Sequence, residues 1–261
     1  MTLFLNKKSN LIIIFFILGI ILSLGFDPYN IPFISILTVG VFFLLNDFIY
    51  LNHNKNYYLF FLTGISFGFA FFVSSMYWVA NSVLIYPELY YLIPIPLIGL
   101  PLILSIFYGV MQLFNSIFWS SSIFRIIYFS IFWTVFEIIR GSFFSGLPWN
   151  VIAYSWTWSL SIMQALSIFG IYGLCFFTIL ISASLFSFYF KKNYFLLIFI
   201  SVLTFFIILA YGHLRIKNYE EIYSVSNEVR LISSNFDQNI KWSEQSINKI
   251  LSLGSNDKIS I

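Results

Sequence analysis

Seven runs of mostly apolar residues, each near the length needed to cross a bilayer, follow one another through the first 212 positions. At about 1.5 Å per helical residue, about 20 residues cover the hydrocarbon core. The runs occupy 10–25, 31–51, 57–80, 90–119, 123–139, 162–190 and 194–212. Turn-formers or charges mark most of the breaks, from Asp27-Pro28-Tyr29-Asn30 to Lys191-Lys192-Asn193. The three serines at 120–122 are the weakest of them. Pro94, Pro96 and Pro101 predict an irregular or re-entrant piece ahead of the fourth helix. The expected class is a polytopic α-helical membrane protein of about seven spans over residues 1–212.

Composition agrees. Charged residues make up 9% of the chain and hydrophobic ones 60%, whereas a soluble domain carries about a quarter charged residues. The net charge of +3 is scattered in short clusters, which gives no basic stripe for nucleic acid. One cysteine, Cys175, excludes an internal disulfide, a C-x-x-C pair and a thiolate cluster. His53 and His213 are far apart, so neither a metal nor a cofactor is expected. Lys7-Lys8 ahead of an apolar run resembles a signal peptide, but no small-residue cleavage site follows, and the run is read as an uncleaved first helix.

Basic residues set the expected orientation. Lys7, Lys8, Lys55, Arg125, Lys191 and Lys192 fall on one side, and Arg140 alone lies in a short loop on the other. The positive-inside rule then places the N-terminus in the cytoplasm. Everything beyond 212 is expected outside, which in a bacterium with two membranes means an inner-membrane protein with a periplasmic C-terminal segment.

Several side chains invite a chemical reading. Glu137 and Arg140 stand three apart on one helix face and are predicted to pair. Asp27 is read as a turn residue. Cys175 has Gly173, Leu174, Phe176 and Phe177 around it, with no base or cation within a helical turn, and is expected to be a buried small hydrophobe. Gly64 with Gly68, and Gly170 with Gly173, are expected to form small faces where helices approach closely. Tyr77-Trp78, Tyr90-Tyr91, Trp149, Tyr154, Trp156 and Trp158 suit an interfacial belt. Within 141–161, three Trp residues with Pro148 and Asn150 predict a structured surface at headgroup level.

The remainder is polar. Residues 213–226 are expected to be a connector, and 227–261 the incomplete start of an α/β domain. A strand is predicted at 229–233, a helix after Ser243 as N-cap, a turn at Gly254-Ser255-Asn256-Asp257, and a second strand beginning at 258–261. So few residues cannot bury a core of their own.

Four blocks together resemble the apolipoprotein N-acyltransferase family. The first runs from Gly68-Phe69-Ala70 to Tyr77-Trp78-Val79 and Ser82. The second is Glu137-x-x-Arg140-Gly141 with Ser145-Gly146-Leu147-Pro148-Trp149-Asn150 and Tyr154-Ser155, the most specific of the four. The third is Gln164 with Gly170-Ile171-Tyr172-Gly173-Leu174, and the last Val229-Arg230-Leu231-Ile232, Asn235, Gln238 and Lys241-Trp242.

The resemblance implies a helical membrane domain followed by a nitrilase-like αββα domain in the periplasm. It implies acyl transfer from a phospholipid donor, through a cysteine thioester, to the lipid-modified N-terminal cysteine of a lipoprotein, by a Glu–Lys–Cys triad. No position here matches that triad, so no catalytic residue is assigned and the 261 residues alone are expected to be inactive. Two substrate-binding candidates remain. Trp242 resembles the family's Trp near the lipid entrance, and Trp149 is expected to line the same approach, with ordinary packing or interfacial anchoring weighing equally for each. A non-catalytic lipid- or lipoprotein-binding module, or half of a split enzyme completed by a separate downstream polypeptide, is the alternative. A transporter is set aside because the spans show no buried charge along an ion route and no inverted repeat.

Overall fold

The computed structural model describes residues 5–143, 146, 148–187, 195–219 and 247–248. All regular structure among them is helical, with no sheet. The seven long helices among the described residues are α1 (Lys8–Ser23), α2 (Ile34–Asn52), α3 (Tyr57–Met76), α4 (Leu100–Phe118), α5 (Phe124–Ser142), α6 (Leu166–Ser187) and α7 (Phe195–Lys217). The predicted connector lies partly, and the predicted strands wholly, outside the described residues.

Five segments are long and apolar enough to cross a membrane: Ile34–Asn52, Tyr57–Leu84, Pro87–Phe118, Leu166–Ser187 and Phe195–Lys217. Helix α1 is apolar but only 16 residues long. Helix α5 is not among the five, and it carries Arg125, Glu137 and Arg140.

Helix α3 lies between α1 and α4, α5 packs on α4 and α6, α2 on α6 and α1, and α7 on α6 and the short helix Leu160–Met163. Local chemistry fixes the ends. The Asn56 carboxamide caps α3 by accepting the Leu59 N–H at 2.9 Å. Lys55 Nζ donates to the last-turn carbonyl of Ile117 in α4 at 2.7 Å, where a cation also suits the helix dipole. The proline-rich approach to α4 is irregular as anticipated: a 3-10 turn over Pro87–Leu92, then a single wide π turn over Ile95–Gly99.

The two glycine pairs part company. A Cβ on Gly64 would run into the Tyr108 carbonyl oxygen, so α3 and α4 meet at a distance only glycine allows. Gly170 is different, and the expected small face in α6 is not formed there. No atom lies within 4 Å of its Cβ position, and a side chain on Gly173 would meet only Phe169 of its own helix. Gly170 instead breaks α6 with φ 64° and ψ −179°, a conformation reserved for residues without a side chain.

Along the bundle axis the core is a ladder of rings. Trp119 meets Phe129 edge-on at 6.0 Å, Phe129 meets Trp133 at 5.5 Å, and Trp133 meets Tyr108 at 5.5 Å. Phe42 and Phe67 close on the same column, each edge-on to Trp133. Such T-shaped pairs add about 0.5–1.5 kcal/mol each beyond area burial.

An ionic knot sits at each end of this ladder. At the first, Arg125 Nε lies 3.0 Å from Asp47 Oδ1, which also accepts Trp119 Nε1–H at 2.7 Å. Both charged side chains are buried. The sequence groups Arg125 with the basic residues of one side of the membrane and marks no partner for it. It stands in the first turn of α5, and the partner that makes its burial tolerable lies 78 residues away on α2. Beside it, Asn46 and Gln112 exchange two amide hydrogen bonds at 2.7 and 3.0 Å, and Asn115 donates to Gln112 at 3.1 Å.

Candidate functional site

The second knot shapes the other end of the bundle. Spacing alone puts Glu137 and Arg140 on one face of α5, and there the guanidinium reaches Glu137 Oε2 through Nε at 3.2 Å and through Nη2. Tyr108 of α4 donates its hydroxyl to Glu137 Oε1 at 2.8 Å. Arg140 lies over the Phe72 ring, 5.2 Å from its centre, and is 1% exposed. Opposite charges, a hydroxyl and a ring face thus satisfy one another in a dry setting.

One donor leaves the knot. Arg140 Nη1 donates a hydrogen bond to the backbone carbonyl of Trp149 at 2.8 Å. This bond fixes the start of the connection to the 3-10 turn Ile152–Trp156, next to Asn150 with its positive φ of 53°. The Trp149 ring, 41% exposed, points outward and tilts against Trp78, which is 47% exposed, with centres 5.1 Å apart.

Behind the two rings opens a cavity of about 500 Å³. Its wall combines Phe26 and Asp27 from the α1–α2 turn, Ser75 from the end of α3, both Trp rings, and Asn150, Tyr154 and Thr157. Asp27 is held in place: Asn30 Nδ2 donates to its Oδ1, and Thr157 Oγ1 anchors Asn30 Oδ1 at 3.1 Å. The turn role expected for Asp27 is therefore observed, together with a position on the cavity wall that sequence reading missed. The cavity has the size of a small-ligand site, apolar with a few placed polar groups.

Trp149, a substrate-binding candidate, lies on this wall, whereas Trp242 falls outside the described residues. The three Trp residues of 141–161 do not share one environment. Trp156 is not an interfacial ring but a buried one, donating Nε1–H to Thr178 Oγ1 at 2.8 Å, because the 3-10 turn folds it onto α6. Cys175 is fully buried, its sulfur 4.0 Å from the Thr134 hydroxyl. Among the described residues no three His, Cys, Asp or Glu side chains come together to hold a metal.

Apolar helices of spanning length, closed around a ring-filled core and opening to a lined cavity at one end, define a helical membrane-type bundle. The family model for the apolipoprotein N-acyltransferase N-terminal domain matches residues 18–185. Curated apolipoprotein N-acyltransferases are similar: that of Rickettsia bellii is 32% identical over 70% of this chain and 37% of its own length. The Rickettsia typhi protein is 32% identical over 95% of this chain and 49% of its own, and that of Rickettsia prowazekii 32% over 89% and 46%. The chain belongs to the apolipoprotein N-acyltransferase family. It spans about half the length, or less, of these relatives.

Proposed function

We propose that these residues form the membrane platform of an apolipoprotein N-acyltransferase, presenting phospholipid donor and lipoprotein acceptor to a nitrilase-like catalytic domain. The observation that carries this reading is the Arg140–Trp149 bond inside the region matched by the family model, which holds an aromatic ring over a lined cavity. All seven long helices span the bacterial inner membrane in this reading, with the N-terminus cytoplasmic and the Trp149 end periplasmic. That end then faces headgroups, where amphipathic rings are favoured.

In the proposed reaction a glutamate base takes the proton of a cysteine thiol, and the thiolate attacks the ester carbonyl of the donor. The glutamic acid returns that proton to the departing alkoxide, giving the lysophospholipid alcohol and a thioester. The α-amine of the acceptor then attacks that carbonyl, loses its proton to a glutamate base, and expels the thiolate. None of the 261 residues is assigned to those roles, and buried Cys175 is not their nucleophile. Alone, the chain holds substrate without transferring acyl groups.

The test is incubation of the purified chain with phospholipid and a diacylated lipopeptide, with and without a catalytic-domain polypeptide from a relative. N-acylated peptide is expected only with that polypeptide. Product from the chain alone, or none from the pair despite stable association, contradicts the proposal.

A further inference from the structure

We propose that residues 160–169 are a hinged flap that carries the outer end of α7, with Gly170 as the hinge and Phe169 as the latch. Ahead of the flap, the turn at 156–158 is tied to the bundle three times. Trp156 Nε1 donates to Thr178 Oγ1 of α6 at 2.8 Å, and Thr157 Oγ1 donates to Asn30 Oδ1 at 3.1 Å. The Trp158 ring meets Phe33 edge-on, with centres 5.1 Å apart. Behind the flap, Gly170 interrupts α6 at φ 64°, and no atom lies within 4 Å of its Cβ position to crowd a rotation there. An element-terminal glycine of this kind absorbs the backbone change of a hinge.

The flap and the end of α7 form one body. Leu160–Met163 packs mainly on α7. Gly212 of α7 lies so close to the Ser161 carbonyl that a Cβ would overlap it, and the Ser167 and Tyr211 hydroxyls share a hydrogen bond at 3.1 Å. Helix α7 is itself held by a narrow stripe, with Ser201, Ile208 and Gly212 as its buried residues. Within the flap, Ile162 and Ala165 are buried, whereas Ser167, Ile168 and Phe169 are exposed, so its grip on the bundle weakens toward Gly170.

The latch bridges the hinge. The Phe169 side chain presses on Gly173, where an added Cβ would collide with it, and its ring meets Phe177 edge-on at 4.9 Å. Both partners belong to the part of α6 beyond Gly170. One ring pair and one missing side chain hold the kinked state, which leaves the released state within thermal reach. Release shifts the end of α7 while Thr157, bound to Asn30, keeps its place on the wall of the Trp78–Trp149 cavity. That this shift repositions a catalytic domain following α7 rests on the platform reading, whereas the motion itself does not.

Electron spin resonance distances test the motion in the full 261-residue chain in nanodiscs, with Cys175→Ala as background. Labels on the exposed positions Leu214→Cys and Ile138→Cys report α7 against α5, and labels on Ile168→Cys and Leu214→Cys report within the moving body. Losing one ring pair shifts an equilibrium roughly two- to tenfold. Phe169→Ala, and Gly173→Ala, which keeps the ring but displaces it, should each raise a second Leu214–Ile138 distance by about that factor. The Ile168–Leu214 distance should not change. If either variant loses helix content, Phe169→Leu, which removes only the ring contact, should show the same shift.

A measurement needing no variant is amide hydrogen exchange, expected to be faster across 167–172 than across 174–187. A single unchanged Leu214–Ile138 distance in the variants, a change within the Ile168–Leu214 pair, or equal protection on the two sides of Gly170 overturns the hinge. If the hinge fails while acyl transfer with the added catalytic polypeptide succeeds, only the flap is refuted. If the flap moves and no N-acylated peptide forms, the platform reading fails and the hinge stands.

Discussion

Arg140 and Trp149 are joined by a bond between a buried charge and an outer backbone: the guanidinium, sealed against Glu137 and Phe72, donates to the Trp149 carbonyl at 2.8 Å. The position of an exposed ring is therefore decided by an ionic contact made below it.

Replacing Arg140 by Met should be severe, because it leaves the Glu137 carboxylate buried without its cation. A loss of about 3–5 kcal/mol is expected. Glu137→Gln with Arg140→Met should be less damaging than Arg140→Met alone, since no lone charge remains. Arg140→Lys keeps the charge but not the fork, and should fall between wild type and Met. Unfolding in detergent, followed by loss of helical signal, ranks the four proteins.

The opposite knot obeys the same rule with different partners. Arg125→Leu, which strands Asp47, should cost about 3–5 kcal/mol. Trp119→Phe removes only one donor to the same carboxylate and should cost about 1.5–3 kcal/mol. If Trp119→Phe proved the more damaging in the same unfolding measurement, the Asp47–Arg125 pair would not be what holds this end.

Gly64 and Gly170 separate steric from backbone effects. Gly64→Val pushes a side chain into the Tyr108 carbonyl and should prise α3 from α4. Gly170→Ala meets no neighbour, yet imposes a side chain at φ 64°, which costs about 1–3 kcal/mol. A cysteine cross-link between α3 and α4 should form more slowly in Gly64→Val and at the wild-type rate in Gly170→Ala.

Replacements at Trp149 and Trp156 should cost similar amounts of stability and differ in binding. Trp149→Ala loses an exposed ring and its contact with Trp78, about 0.5–1.5 kcal/mol, while lipid retention falls. Trp156→Phe should cost about 0.5–1.5 kcal/mol through the lost bond to Thr178, with lipid retention unchanged. Unfolding and lipid counting on the same two samples check both halves.

What the sequence disclosed follows the range of the interactions. Apolar runs are local, so α3 and α5 begin within a residue of their expected starts at 57 and 123. The Glu137–Arg140 pair was visible because three-residue spacing sets a helix face. Asp47 with Arg125, and Asn46 with Gln112, lie 78 and 66 residues apart, and no local pattern marks which helices will meet. Trp156 was misjudged because interfacial and buried tryptophans look alike until a partner such as Thr178 comes within reach. Asp27 as cavity wall required three elements to converge, from the α1–α2 turn, the end of α3 and the loop after α5.

The column from Trp119 through Phe129 and Trp133 to Tyr108 has a consequence for permeation. Interlocked rings with both ends tied off by neutralised ion pairs make the bundle a plug, and a hydrated solute would have to turn several of them at once to pass. Vesicles carrying the chain should stay as tight to small ions as empty ones, and a leak that grows with protein content would contradict the column.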